Sequence, residues 1–238
     1  MSETDEKMIV DGKRLDGRLP NQLRPIKMEV KIINRANGSA LVNFGGTYAI
    51  ASVHGPRALF PRWMQESDTG ILRCRYNMAP FSVEDRKSPG PDRRSVEISK
   101  VARLAMEPAI FLEDFPKATI DVFIEVLQAD GSTRVTGINA ASLALADAGV
   151  PMKDLVTACS VGKINGTLIV DLNGKEDNNS EADMAVAMLP TKKKITLLQM
   201  DGVVSKEELM TLVNLAEKSC EKIYELQKQA LKEKYKRI

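Results

Sequence analysis

The sequence predicts an α+β fold in two halves. The first half opens with three alternating apolar runs joined by glycine-containing turns, a pattern typical of an antiparallel meander. It continues with two helical segments on either side of a strongly β-forming run at 119–127. The second half has four more strand-like runs and ends in a long amphipathic helix. Because the strands are grouped instead of alternating one by one with helices, the pattern favours α+β over a parallel α/β sheet.

Length and composition are compatible with two small domains. The chain has 238 residues, of which 43% are hydrophobic, and this is enough for a substantial core. We expect residues 1–150 and 151–238 to form the two domains. The 34 basic and 32 acidic residues leave a formal net charge of only +2. Any nucleic-acid site must therefore be a local patch and not a property of the whole surface.

The cysteine and histidine content argues against several kinds of site. Cys74, Cys159 and Cys220 are odd in number and far apart, which predicts free thiols in a reducing, cytoplasmic setting and no zinc site. His54 is the only histidine, so Ser-His-Asp, His-based acid–base and His-rich metal sites are not expected. The polar N-terminus lacks the apolar segment of a secretion signal, and no apolar run approaches the ~20 residues of a membrane span.

The elements of the first half follow from local patterns. Residues 1–24 are polar and predict an extended arm. Helices are expected at 92–110 and 135–148, and Gly149 and Pro151 close the second. Strands are expected at 26–33, 40–44, 48–54, 72–76 and 119–127.

The elements of the second half follow in the same way. Strands are expected at 155–164, 167–172, 182–189 and 195–200. Ser205 and Glu208 form a capping-box pattern that starts a helix reaching about Tyr235. A run of basic residues at its end suits a solvated helix C-terminus, and RNA contact is the minor alternative. These residues are Lys228, Lys232, Lys234, Lys236 and Arg237.

The loop at 55–70 combines cationic and aromatic side chains. An exposed Arg62-Trp63 pair would stack on unpaired bases and contact backbone phosphates. The alternative is that Trp63 packs into the core while Arg57 and Arg62 are solvated. The sequence favours neither interpretation over the other.

The helix expected at 92–110 starts with an unusual charge pattern. Arg93 and Arg94 lie in its first turn, where the helix dipole disfavours cations by up to ~1 kcal/mol. Free helix N–H groups and two guanidinium groups together predict a site for a polyanion. The alternative is an ion pair of these arginines with Asp92 or Glu97.

A turn rich in small polar residues precedes the helix at 135–148. Ser132, Thr133 and Arg134 follow the strand at 119–127, and this order of strand, turn, arginine and helix can hold one phosphate. The spacing differs from that of a Walker motif. The alternative is an ordinary helix N-cap formed by Ser132 or Thr133.

The stretch at 171–190 concentrates carboxylates. Asp171, Glu176, Asp177, Glu181 and Asp183 lie within thirteen positions, although carboxylates packed so closely repel one another. One interpretation is a polar hairpin loop, because the stretch contains Asn-Gly and Asn-Asn pairs. The other is a catalytic segment that acts together with the arginines of the first half.

In combination, these stretches resemble the RNase PH family, and within it the catalytic RNase PH-type subunits of the archaeal exosome. The resemblance extends from Gly12 to about Tyr235 and is carried by LRCRYNMAPFSVEDRKSPGPDRRSVEISK (72–100), VFIEVLQAD (122–130), AASLALADAGVPMKDLV (140–156) and the acidic residues at 176–184. It implies a ribosomal protein S5 domain 2-like half followed by an RNase PH second domain. It also implies a hexameric ring with a related non-catalytic subunit and RNA-binding cap proteins.

The resemblance also implies an activity and a set of roles. Members of the family use inorganic phosphate to cleave the last phosphodiester at a single-stranded RNA 3′ end, which releases a nucleoside diphosphate, and the reaction is reversible. Asp177 would donate a proton to the leaving 3′ oxygen, and Glu176 and Asp183 would raise its pKa. Asp183 would support Asp177 or bind Mg²⁺. Phosphate would be held by Ser132, Thr133, Arg134 and Arg94, and RNA by Arg93, Arg62 and Trp63.

The sequence departs from the family pattern at three positions. Ser132 and Ser180 stand where relatives commonly carry glycine, and Trp63 where they often carry histidine. If the backbone at Ser132 has a positive φ, the serine strains or reshapes the turn. Two other functions remain open, namely a non-catalytic RNA-binding scaffold subunit and a stand-alone RNase PH that trims tRNA ends.

Overall fold

The structure, a computed structural model, describes residues 8–10 and 12–236. Residues 1–7 of the expected arm and Arg237 of the expected basic end lie outside the described residues. The first half contains β1 (Ile9–Val10), β2 (Lys13–Arg14), β3 (Ile26–Val30), β4 (Gly38–Phe44), β5 (Thr47–Ala58), β6 (Ile71–Met78), α1 (Arg93–Met106), β7 (Ala118–Gln128) and α2 (Thr133–Asp147).

A five-stranded sheet organises the first half in the order β3-β4-β5-β7-β6. The predicted meander is confirmed, since β3, β4 and β5 pair antiparallel in sequence. Val42 lies opposite both Met28 and Ala49, so that apolar side chains from three strands share one face. Strand β6 runs parallel to β7 at the sheet edge, and helix α1 packs against β6.

The second half contains a four-stranded antiparallel sheet in the order β11-β10-β8-β9. Its long C-terminal helix packs on this sheet, and Leu212, Ala216, Cys220 and Ile223 are buried along one face. The elements are β8 (Thr157–Ile164), β9 (Thr167–Val170), α3 (Gly174–Asn178), β10 (Ala182–Leu189), β11 (Lys194–Gly202) and α4 (Lys206–Tyr235).

Several predicted elements are shorter in the structure, and two of them end early for local reasons. The helix expected at 92–110 ends at Met106 and continues as a 3-10 turn at Glu107–Ala109, because Pro108 lacks the N–H group that an α-helix needs. The strand expected at 167–172 ends at Val170, because Asp171 has a φ of 55° and leaves the extended conformation.

Helix α2 is the central element of the fold. It is buried on nearly all sides, with Arg134 and Ala146 the only helix residues outside the buried set. It packs against β4 and β5 of the first sheet and against β8 and β10 of the second. The Asn139 side chain donates to the Ala158 carbonyl at 2.7 Å and accepts from the Ala158 N–H at 3.1 Å, which ties α2 to β8. A helix that is apolar all round needs cover from both halves.

The expectation of an extended polar arm is wrong for the described residues 12–24. Strands β1 and β2 pair antiparallel, and Arg14, Arg18 and Arg24 are buried against the second half. Buried arginines require acceptors, and long-range carboxylates and carbonyls supply them here. Within the described residues, no helix is long and apolar enough to cross a bilayer.

Candidate active site

A polar cavity of about 480 Å³ is lined by residues of both halves. It brings together six of the residues that the sequence singles out, namely Arg94, Ser132, Thr133, Arg134, Asp177 and Asp183. A smaller cavity of about 290 Å³ shares Arg94, Thr133 and Asp177 with it. Of these six, the four from the first half are cationic or hydroxylic, whereas Asp177 of α3 and Asp183 of β10 are acidic. One side of the cavity therefore offers hydrogen-bond donors that can bind an anion, and the other side offers carboxyl groups that can donate a proton.

The turn before α2, residues 130–132, has an unusual backbone. Gly131 and Ser132 both have positive φ, 68° and 55°, so serine occupies a conformation that glycine adopts more readily. The Ser132 side chain does not cap α2. Its Oγ instead donates to the Leu172 carbonyl at 2.7 Å and lies 2.6 Å from the Ser160 Oγ. The N-cap alternative for Ser132 is therefore wrong, and the hydroxyl joins the two halves.

The first turn of α2 carries donors that are free to bind an anion. Among the described residues, Thr133 Oγ1 and Arg134 Nε are buried and have no hydrogen-bond partner. Arg134 Nη2 lies 3.7 Å from a carboxylate oxygen of Glu97, a distance typical of a loose ion pair. Buried polar groups normally have partners, so a phosphate oxygen is a fitting acceptor here.

The start of α1 keeps its two arginines available. Asp92 caps the helix by accepting from the Ser95 N–H at 2.6 Å and pairs with Lys87 at 3.0 Å. These contacts, the Ser95 hydrogen bond first, lower the pKa of Asp92 to about 2. In the described part of the chain, Arg93 and Arg94 form no ion pair, so the alternative pairing with Asp92 or Glu97 is wrong. Both arginines are exposed, but only Arg94 lines the cavity.

The acidic stretch divides into a structural part and a part that faces the cavity. It contains the short helix α3 and is not a simple hairpin loop, because Asn173 and Glu176 form a reciprocal capping box. Asp171 is buried against Arg24 and Glu176 against Arg14. Of the five carboxylates, Asp177 and Asp183 line the cavity.

The pKa of both cavity carboxyl groups is raised. Burial raises the pKa of Asp177 above its ordinary value of 3.8, while Arg94 and Arg134 act in the opposite direction. Burial, followed by the charge of Asp177, raises the pKa of Asp183. The predicted rise for Asp177 is confirmed, and burial is its largest cause. Glu176 does not supply it, since its carboxylate is paired with Arg14.

The cationic and aromatic residues of the loop at 55–70 lie outside the cavity. Trp63 is 83% exposed on a 3-10 turn at Arg62–Met64, so the alternative that it packs into the core is wrong. Arg62 is exposed as well. Arg57 is not simply solvated, because it forms an ion pair with Asp121, which also accepts from Arg73.

Several cavity residues escape a reading of the sequence. Glu97, Ser160, Gln199 and Asp201 also line the cavity, and Gln199 Nε2 donates to Glu97 at 2.7 Å across the two halves. Only Glu97 carries a local signal, since it lies one turn after Arg93 on α1. Within the described residues, no group of three or more His, Cys, Asp or Glu side chains is arranged to hold a metal ion.

Comparisons with known proteins cover nearly the whole chain. Residues 22–151 match domain 1 of the RNase PH 3′ exoribonuclease family, and residues 154–219 match domain 2. The exosome complex component Rrp41 of Pyrococcus furiosus is 61% identical over 228 residues, which cover 96% of this chain and 91% of that protein. The Rrp41 of Methanopyrus kandleri is 53% identical over 236 residues, or 99% of each chain.

A solved structure gives the same result for the fold. The crystal structure of rice Rrp46 superposes with a TM-score of 0.82 at 25% identity, covering 92% of this chain and all of that one. Both family domains, in order, are thus matched by sequence, and the two-sheet architecture is matched in space. The chain belongs to the RNase PH family of 3′ exoribonucleases.

Proposed function

We propose that the chain is a phosphate-dependent 3′-to-5′ exoribonuclease. The observation that carries this proposal is the shared cavity of Arg94, Arg134 and Asp177. An oxygen of inorganic phosphate forms a bond to the phosphorus of the terminal nucleotide, and the bond from that phosphorus to the 3′ oxygen breaks. The products are a nucleoside diphosphate and an RNA one nucleotide shorter. The same groups catalyse the reverse reaction, which adds nucleotides to the 3′ end.

The first-half residues hold the attacking phosphate. Arg94 and Arg134 supply guanidinium donors, Thr133 a buried hydroxyl, and the turn at Ser132 the N–H groups of the helix start. Positioning and charge neutralisation dominate phosphoryl transfer, so fixed donors are the main requirement. The adjoining smaller cavity leaves room for the RNA end beside the phosphate.

Asp177 supplies the proton that the leaving 3′ oxygen requires. A general acid must hold its proton near the working pH, and burial shifts the pKa of Asp177 in that direction. Asp183 lines the same cavity and keeps negative charge close to Asp177. If Mg²⁺ takes part, Asp183 is the carboxylate to hold it, since Mg²⁺ commonly binds one or two carboxylates together with substrate phosphates. The ion would neutralise phosphate charge.

The exposed cationic and aromatic residues outside the cavity serve RNA binding. Arg93 adjoins Arg94 at the start of α1, where it can contact the RNA backbone. Arg62 and Trp63 project from their loop and suit contact with single-stranded RNA on its way to the cavity. Bases stack on an exposed indole whatever their sequence, so this loop would accept many RNAs.

The assembly and location follow from the relatives. Proteins named Rrp41 are exosome components, and we extend this role to the present chain, as the catalytic member of a hexameric ring. A related non-catalytic subunit would complete the ring, and RNA-binding proteins would cap it. The free thiols of Cys74, Cys159 and Cys220 suit a cytoplasmic setting. We also propose domains at 1–150 and 151–238.

A single assay tests the reaction class. The full chain, with and without the related subunit, is incubated with RNA labelled in its 3′-terminal nucleotide, with and without inorganic phosphate. We expect labelled nucleoside diphosphate only when phosphate is present. A nucleoside monophosphate formed without phosphate would contradict the proposal, because it would indicate hydrolysis.

Variants then assign the proton donor and separate the other functions. Asp177→Asn should keep RNA binding and lose diphosphate release by about 10²- to 10⁴-fold. The matched control is Asp114→Asn, an exposed carboxylate outside the cavity, which should keep full activity. RNA binding without release in any assembly would indicate a scaffold subunit. Full activity of a homohexamer on tRNA ends would indicate a stand-alone RNase PH.

A further inference from the structure

Arg24 bridges the two turns that build the cavity. Its Nη1 donates to the carbonyl of Asp130 at 2.6 Å, and Asp130 opens the turn before α2. Its Nε and Nη2 donate to the two carboxylate oxygens of Asp171, at 3.0 and 2.7 Å. The Arg24 N–H adds a further bond to Asp171 at 2.8 Å. One guanidinium therefore joins the phosphate side of the cavity to the start of the acidic segment.

A second buried arginine orients the helix that carries Asp177. Arg14 Nε donates to Glu176 at 2.6 Å, and Nη1 and Nη2 donate to the carbonyls of Val170 and Asp171 at 2.6 and 2.8 Å. The same Glu176 carboxylate accepts from the Asn173 N–H at 2.9 Å and so completes the cap of α3. Asp177 follows directly in that helix.

The two turns also contact each other closely. A Cβ atom added to Gly131 would lie 2.5 Å from the Asn173 carbonyl carbon. Asp130 Oδ1 accepts from the Gly174 N–H at 2.9 Å. The two turns are therefore too close together to admit a methyl group at Gly131. Arg24 connects them on their buried side.

Stability alone is a poor reason for this arrangement. Replacing a buried ion pair with apolar side chains of similar volume is often neutral or stabilising, because desolvation of the charges offsets their attraction. A planar guanidinium adds instead a fixed geometry, with several donors at set angles. We propose that Arg24 is a positioning residue, which fixes the distance from the phosphate-binding turn to Asp177 through Asp130 and Asp171.

This inference rests on the proposed function and makes a kinetic prediction. Arg24→Lys keeps the positive charge, but its single ammonium cannot serve both the Asp130 carbonyl and the Asp171 carboxylate in the same geometry. A misplacement of ~1 Å costs about 100-fold in rate, so we expect kcat to fall about 10- to 100-fold. The KM values for RNA and phosphate should stay within about 3-fold, because the groups that bind them remain.

The control and a second variant keep the test decisive. Arg103→Lys weakens a partly exposed pair with Glu107 at the end of α1, outside the cavity, and should retain wild-type kinetics. If Arg24→Lys does not fold, as judged by circular dichroism, Asp171→Asn carries the test, since it weakens the same bridge with little change in shape. A kcat within about 2-fold of the Arg103→Lys value in the folded variant would overturn the inference.

A double variant separates positioning from general loosening. If Arg24 acts through the placement of Asp177, then Arg24→Lys added to Asp177→Asn should leave the residual rate unchanged within about 2-fold. Multiplied losses would contradict the inference, since they would show an effect independent of Asp177. If the wild-type chain in its complex releases no diphosphate, the proposed function fails instead, which distinguishes the two failures.

Discussion

The guanidinium of Arg134 lies 3.7 Å from the carboxylate of Glu97, within the cavity that we assign to phosphate. Because Glu97 is about half exposed, this pair is weak, worth about 0.2–1 kcal/mol. Its negative charge nonetheless opposes an incoming phosphate. The Gln199 amide donates to Glu97 and would find an equivalent acceptor in glutamine at this position.

Replacement of Glu97 should therefore improve phosphate binding. We expect Glu97→Gln to lower the KM for phosphate by up to about 5-fold, the equivalent of about 1 kcal/mol, with kcat little changed. Phosphate titrations of the phosphorolysis rate measure this directly. A higher KM in the variant would show that Glu97 assists binding, contrary to our expectation.

Loss of the planar guanidinium of Arg134 should weaken the binding of phosphate more than the binding of RNA. Arg134→Lys keeps the charge but removes the planar pair of donors, including the buried Nε that has no partner among the described residues. A hydrogen bond to a charged group contributes about 1.5–3 kcal/mol, so the KM for phosphate should rise about 10- to 100-fold. RNA affinity, measured by filter binding without phosphate, should change far less. An equal loss of both affinities would contradict the assignment.

The buried carboxylate of Asp177, when ionised, should lower the free energy of unfolding at about pH 7. Burial raises the folded-state pKa of Asp177 above 3.8, the ordinary value that applies to the unfolded chain. At a pH between the unfolded-state and folded-state pKa values, the folded state therefore binds more protons than the unfolded state. The free energy of unfolding therefore falls as pH rises through the folded-state pKa. Asp177→Asn cannot ionise, and it should be more stable than the wild type at about pH 7, with the difference vanishing below pH 3.8.

Urea unfolding of both proteins across this range provides the measurement. The sign is the decisive result, because a variant that is less stable at about pH 7 would mean that the ionised carboxylate is favoured in the fold. Asp114→Asn serves as the control, since this exposed carboxylate should show no such pH-dependent gain.

Trp63 should contribute to RNA binding but not to stability. It is 83% exposed, so Trp63→Ala should change the free energy of unfolding by less than about 0.5 kcal/mol. Loss of stacking should weaken the binding of long single-stranded RNA by about 1–3 kcal/mol. As the chain has one tryptophan, quenching of its fluorescence by RNA gives an independent readout. Tyr235→Ala, another exposed aromatic, is the control, and an equal effect of both variants would count against the loop.

Local patterns account for what the sequence predicted well. Alternating residues and glycine turns specified the meander, and the order of strand, small polar turn and helix specified the Ser132–Arg134 region. The spacing of Asn173 and Glu176 also contains a capping signal, but the Asn-Gly pair indicates a turn more strongly. For this reason the short helix α3 appears as a loop in a sequence-based reading.

Long-range charge pairing accounts for what the sequence did not predict. The partners of Arg14 and Arg24 lie about 150 positions away, and no periodicity connects them. Composition alone cannot show whether the arginines of residues 12–24 are solvated in an extended arm or buried against the second half. Glu176 likewise looks equivalent to Asp177 in sequence, and only the paired arginine shows that it faces away from the cavity.

Helix α2 has a wider consequence, because its apolar surface is shared between two sheets and one of its ends lines the cavity. Neither sheet can cover that surface alone, so an isolated half would expose part of the apolar surface of α2 to water. We therefore expect the two halves to depend on each other for stability, and the cavity to form only when both pack on α2.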